Sequence, residues 1–221
     1  MSTETKDIID LLAGIEGGSC LHDIRGRRLQ ARENAQKSYL ALFEPADFGD
    51  VAAVERHAVA AFVAGIHGEP NAAGFYLAKL AKAADRPDFI EALKAEIERG
   101  KTSGPYGAFP PGPLSVEDES GLVYRVAADR KPVLGVRLAA ALEHAHLLVF
   151  RPRDAAAADL QALLDAGWSA TAIVTLSQLV AFLSYQLRAV AGLRALGASL
   201  GASPGRWADE AAKASQGAHR S

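Results

Sequence analysis

The sequence predicts an all-α fold, an expectation carried by three observations, and a short internal echo described below suggests two related helical halves. Apolar residues recur at helical spacing in segment after segment; in "DVAAVERHAVAAFVAGIHG", Val51, Val54, Ala58, Ala61, Phe62 and Gly65 make one stripe. Glycine and proline fall at the ends of these segments, where helices stop and start. No stretch of useful length alternates apolar with polar residues as a half-buried strand does. Of 221 residues, 49% are hydrophobic and 23% charged, an ordinary globular composition in a chain long enough to bury a sizeable core.

"DIIDLLAGIE" reads as a short helix ended by Gly17 and Gly18, and "RRLQARENAQKSYLALF" as a longer one stopped near Pro45. The Val51–Gly65 stripe ends at Gly68, and Pro70 opens the next helix from its favoured first position, through "NAAGFYLAKLAKAA". "RPDFIEALKAEIERG" follows, with Gly100 as its stop. Helices resume with "LGVRLAAALEHAHLLVF" and "DAAAADLQALLDAG", and Ser169 caps the long apolar helix "ATAIVTLSQLVAFLSYQLRAVAGLRALG".

Between these groups, residues 101–132 lose the helical period and hold four prolines, Pro105, Pro110, Pro111 and Pro113, within one short run. A loop that long inside a domain is usually functional or a linker. Tyr106, Phe109 and Tyr124 argue for an ordered loop that wraps its own core or a neighbouring subunit, with a proline-motif ligand for an adaptor domain as the alternative. The expected organisation is an N-terminal helical arm (1–32), a main helical domain (33–200) and a C-terminal tail (201–221), whose residues from about 208 carry little apolar surface.

A net charge of −2 gives no general attraction to nucleic acid or to anionic membranes. Arg25, Arg27, Arg28 and Arg32 form one basic cluster, read as a solvated or interface-lining helical face in preference to a phosphate site. Cys20 stands alone, so neither an intrachain disulfide nor a multi-cysteine metal site can form. It follows "GGS", which suggests an exposed thiol in a flexible connection. The first ten residues lack the apolar core of a signal peptide. Gln178, Tyr185, Gln186 and Arg188 interrupt the long apolar helix, which therefore reads as buried on most sides and not as a membrane span. A soluble, cytoplasmic protein without cofactor is the expectation.

"LFEPAD" (42–47) and "VFRPRD" (149–154) echo one another, each ending one helix and leading into a helix, a turn and a further helix. "LLDAGWSATAIVTLSQLVAFLSYQLRAVAGL" resembles the second conserved segment of the alkylhydroperoxidase D-like / carboxymuconolactone decarboxylase superfamily. "ERHAVAAFVAGIHGEPNAAGFYLAKL" resembles the first, and the echo fits that superfamily's duplicated helical layout. The resemblance spans roughly residues 34–100 and 133–198. It implies a homo-oligomer, a dimer-based trimer or hexamer, acting on a small molecule.

The peroxidase branch of that superfamily is marked by Glu-x11-Cys-x2-Cys-x3-His. Anchored on Pro70, the pattern falls on His57, Glu69, Ala72 and Tyr76, and all four letters differ. A thiol peroxidase needs a thiolate and a resolving thiol, so the machinery of that activity is missing. The decarboxylase branch, which moves protons on a small lactone acid, is nearer in kind.

Glu69 and Tyr76 lie seven residues apart on one helical face, and the resemblance implies that His57 joins them in one pocket. Glu69 sits at a helix N-terminus, where free N–H groups hold its anion and make it a poor base. His57 is then the proton carrier and Tyr76 and Glu69 its orienting partners. A structural reading stays open, in which Glu69 caps, Tyr76 packs and His57 is a core or interface histidine. So does a metal site from His57, His67 and Glu69. His144 and His146, two apart on a helix, diverge too far to share an ion and read as surface or interface residues.

Gln178, Gln186 and Arg188 each mark a hydrogen-bonded network or a pocket wall, with Arg188 either clamping a substrate carboxylate beside Gln186 or making an intersubunit salt bridge. The leading expectation is acid–base chemistry on a small organic acid or lactone. A non-catalytic subunit beside a cysteine-bearing sister chain is one alternative, and a hydroperoxidase using Cys20 with an external thiol is the other.

Overall fold

The computed structural model describes residues 6–202, so the tail from 208 lies outside the described residues. Among the described residues the chain is all-α, with no strand and a single isolated bridge between Gly107 and Glu119. In order the helices are α1 (Ile8–Ala13), α2 (Cys20–Gly26), α3 (Leu29–Phe43), α4 (Ala53–Ile66), α5 (Pro70–Ala83), α6 (Pro87–Gly100), α7 (Lys131–Leu134), α8 (Val136–Phe150), α9 (Ala157–Asp165) and α10 (Ala170–Ala202). They form two compact units, one of residues to Asn34 with those from Arg188, the other of Ala35–Leu187.

In the first unit, Asp7 caps α1 by accepting from the backbone N–H groups of Ile9 (3.0 Å) and Asp10 (2.9 Å). The helix stops at Ala13, four residues before the Gly17 the sequence suggested, because Gly14 takes the left-handed conformation (φ 71°) that closes a helix. The basic cluster is also divided. Arg25 donates to Asp7 (2.6 Å) and pairs with Asp10, and Arg32 donates to Asp10 (2.6 Å), while Arg27 and Arg28 are exposed. Half of the expected basic face is therefore an internal ion-pair network. Cys20 is exposed, but it opens α2 and does not lie in a flexible connection.

The second unit is built around α4, which is buried without interruption from Arg56 to Ile66 and packs on α5, α6 and α8. A helix apolar on all sides belongs in a core. Arg56, buried at its start, donates to the carbonyls of Val51 (2.9 Å), Leu42 (2.7 Å) and Phe48 (2.8 Å), tying down the connection from α3. Gly65 matters here for its missing Cβ, which would overlap the Ile97 side chain; glycine lets α4 and α6 touch.

Pro70, Gly100 and Ser169 act as expected: Pro70 opens α5, Gly100 ends α6, and the Ser169 hydroxyl accepts from Ala172 N–H (3.1 Å). Ser169 also donates to Asp50 (2.6 Å), and buried Trp168 beside it donates to the Arg137 carbonyl (2.9 Å) under the Arg137 guanidinium. The loop 101–132 wraps its own core. Tyr106 and Tyr124 are buried, Tyr106 donates to the Phe150 carbonyl through its N–H (2.8 Å) and to the Leu122 carbonyl through its hydroxyl (2.7 Å).

Two expectations about polar residues are corrected. His144 and His146 are buried, because α8 carries core residues on more than one face. The α10 helix is long and apolar enough to cross a membrane by length and composition, yet 44% of its most apolar window is buried against the chain. Leu176, Leu179, Leu183 and Gln186 lie on its buried stripe, and Gln178 lies exposed with Val174 and Tyr185 on the other. Gln178 is thus a solvated residue and no part of a core network.

Candidate functional site

His57 is a polar residue retained on the most deeply buried helix of the fold, with 8% of its surface exposed. It lies under Phe43, the last residue of α3, with ring centroids 5.5 Å apart and nearly parallel planes. Phe43 also stacks on Tyr76 of α5, with ring centroids 5.1 Å apart. Tyr76 is fully buried and donates from its hydroxyl to Gln186 Oε1 of α10 at 2.6 Å. Four elements, α3, α4, α5 and α10, thereby bring Phe43, His57, Tyr76 and Gln186 into one cluster.

The electrostatics of this cluster are uniform. Burial, reinforced by the positive charge of Lys79, pushes His57 down to about 4, so its imidazole is neutral near pH 7. Burial first, and then the neighbouring Tyr39, hold the Tyr76 phenol far above its ordinary range, against a smaller opposing effect of Gln186. No member of the cluster carries a charge. Two polar atoms in it are buried and unbonded, His57 Nδ1 and Gln186 Nε2. A buried polar group left without a partner costs about 1–3 kcal/mol, so each has a physical reason to receive something.

The remaining predicted site residues lie elsewhere. Glu69 occupies the N-cap position of α5 but makes no side-chain capping bond. It lines a cavity of about 500 Å³ against Ile97 and Lys94 of α6, whose walls include neither His57 nor Tyr76. Seven residues along a helix also amount to about 10 Å of rise, so a shared face does not make a shared pocket. His67 directs Nδ1 to the Val63 carbonyl (2.8 Å), and among the described residues no three His, Cys, Asp or Glu side chains gather as metal ligands. Arg188 is exposed, unlike Gln186.

A second buried cluster was not foreseen. Glu96 of α6 has no exposed surface and accepts from Tyr124 (2.6 Å), Arg130 (3.0 Å), Arg99 (2.8 Å) and the Ala127 N–H (3.3 Å). Burial alone would raise this carboxyl, but the hydrogen bonds from Tyr124 and Arg130, with the Ala127 N–H and the charge of Arg99, leave it below its ordinary value. His146 stacks on Tyr124 at 4.8 Å, and its Nε2 meets the Gly100 carbonyl at 3.0 Å. Apart from Arg99, three residues on, the donors to Glu96 lie 28 to 34 residues away, so no local pattern in the sequence marks this network.

No family model, curated protein or solved structure matches the chain.

Proposed function

We propose that this protein is a relative of the alkylhydroperoxidase D-like / carboxymuconolactone decarboxylase superfamily without the redox cysteine pair, and that it performs acid–base chemistry on a small lactone or related carbonyl compound. The observation that carries the reading is the pair of unbonded buried atoms, His57 Nδ1 and Gln186 Nε2, in an uncharged cluster around Tyr76. A free carboxylate would enter such a cluster without a countercharge, at high desolvation cost. A neutral carbonyl would not.

In this reading the Gln186 amide donates to the carbonyl oxygen, and the His57 tautomer protonated on Nε2 takes a proton from the carbon beside it. The C–H electron pair moves into the new C–C double bond, the carbonyl electrons onto the oxygen, and the proton returns from His57 to a carbon of the product. A base with a value near 4 is weak at rest. It gains strength when the enolate oxygen forms next to it, because the imidazolium is then half of an ion pair. Tyr76 keeps Gln186 oriented, and Glu69 and Arg188 have no part.

Proton exchange tests this directly. The protein should speed incorporation of deuterium beside the carbonyl of α-angelica lactone or γ-butyrolactone in D2O, followed by proton NMR, and His57→Phe should abolish the effect. No acceleration with either lactone by the wild type would refute the reading. Cys20 belongs to the competing thiol reading; Cys20→Ser should leave the reduction of tert-butyl hydroperoxide by dithiothreitol at the uncatalysed rate seen with the wild type. The same proposal includes a soluble cytoplasmic homo-oligomer, a dimer-based trimer or hexamer, which light scattering on the purified chain measures.

A further inference from the structure

A groove of about 340 Å³ lies between α8 and α9, away from the His57 cluster. It exists because alanines stand where larger residues would close the helix pair: Ala140 on α8, Ala158 and Ala162 on α9. Leu147 and Leu163 give it an apolar floor.

His144 also lines the groove. It is 5% exposed, and neither ring nitrogen has a hydrogen-bond partner. Burial lowers its basicity, with Asp159 opposing, so it presents one donor and one acceptor. Four charged residues complete the lining, and two of them are already occupied with each other: Glu143 is paired with Arg125 (3.3 Å) and also takes Lys131 (3.5 Å). The other two have capacity left. Arg151 spends one guanidinium nitrogen on a long pair with Asp154 (3.4 Å). Asp159 uses Oδ2 to accept from the Ala156 N–H (2.9 Å), and Oδ1 has no such bond.

The unspent groups are therefore one cation, one anion and a neutral imidazole that both donates and accepts, above an apolar floor. We propose that this groove binds a small zwitterion, an α-amino acid with an aliphatic side chain. The ligand carboxylate meets Arg151 and the N–H of His144, a fork that suits guanidinium geometry. Its ammonium meets Asp159, because the two ring nitrogens of one imidazole point too far apart to hold both charged groups of an α-amino acid. The side chain rests on Leu147 and Leu163. A simple anion would leave Asp159 facing it uncompensated, and a simple amine would do the same to Arg151. The site is independent of the chemistry at His57.

Calorimetric titration of the full chain with L-valine and L-leucine tests this, against 4-methylpentanoate and 3-methylbutylamine, which are leucine lacking the ammonium or the carboxylate. Saturable binding is expected for at least one amino acid, with both single-charge analogues weaker by about tenfold or more, the usual consequence of losing a charged hydrogen bond. His144→Leu, which keeps an apolar side chain in the core, should weaken amino-acid binding by about tenfold or more. Should that variant not fold, Asp159→Asn and Arg151→Gln decide: the first should weaken leucine but not 4-methylpentanoate, the second leucine but not 3-methylbutylamine. Absence of binding by both amino acids overturns the proposal. So does a single-charge analogue that binds as tightly as leucine, or binding that a folded variant leaves unchanged.

Discussion

The two buried histidine–tyrosine pairs of the second unit differ in what surrounds the phenol. Tyr124 donates to a carboxylate, and that carboxylate, Glu96, is further held by two arginines and a backbone N–H. Tyr76 donates to an amide whose own donor is left unbonded, as is Nδ1 of His57 in the same cluster. Both histidines are pushed down to about 4 by burial. What separates the clusters is closure. Each cluster keeps one unbonded imidazole nitrogen, His57 Nδ1 and His146 Nδ1, but around Glu96 both carboxylate oxygens that accept from the phenol and its neighbours are answered from within the chain, which is what a structural fastening needs. Around Gln186 the answering is incomplete, which is what a site for something else needs.

Substitution separates the two clusters. Glu96→Ala strips a fully buried acceptor and leaves the Tyr124 hydroxyl unpaired, so it should lower unfolding free energy by about 3 kcal/mol, read from urea denaturation. Tyr124→Phe removes one charged hydrogen bond and should cost about 2 kcal/mol in the same assay. Tyr76→Phe should cost about 1 kcal/mol, while slowing lactone exchange far more than Tyr124→Phe does, since it frees Gln186 to turn. Equal effects of the two phenylalanines on exchange would erase the distinction between the clusters.

Acid acts on both clusters. His57 and His146 titrate near 6.5 when unfolded and near 4 when folded, so the unfolded chain takes up their protons first. Their contribution is complete above 6.5 and is lost as pH falls toward 4. Glu96, whose folded value is depressed, adds a loss below the ordinary carboxylate range. Melting temperature should therefore drop between pH 6.5 and 4, and the slope in that window should flatten in His57→Phe and in His146→Phe alike. A slope unchanged in both would mean that neither imidazole is held neutral.

Much of this architecture is legible in the sequence because helix punctuation is local. Pro70, Gly100 and Ser169 mark their boundaries by their own chemistry. Gln186 was legible as a polar residue in an apolar helix, and so was Gln178. Only the phase separates them, since Gln186 keeps step with Leu179 and Leu183 and Gln178 does not. Tertiary pairing is what stays hidden. Arg25 and Arg32 look solvated until Asp7 and Asp10 are folded beside them. Glu96 resembles any glutamate of an amphipathic helix until the aperiodic segment brings Tyr124 and Arg130 to it. His144 was readable only as one of a diverging pair, because burial on several faces of α8 leaves no periodic mark.

The grip of Glu96 on Tyr124, Ala127 and Arg130 has a mechanical consequence for the chain before it. That segment is pinned near its start as well, where Tyr106 bonds the Phe150 carbonyl, and between the pins its outermost turn carries Val116 at 89% exposure. Continuity of the polypeptide at Val116 is therefore dispensable: a protease site inserted there should be severed without releasing either fragment, the two pieces eluting as one particle until denaturant is added. Elution as separate pieces would show that the pins are too weak to stand in for a peptide bond.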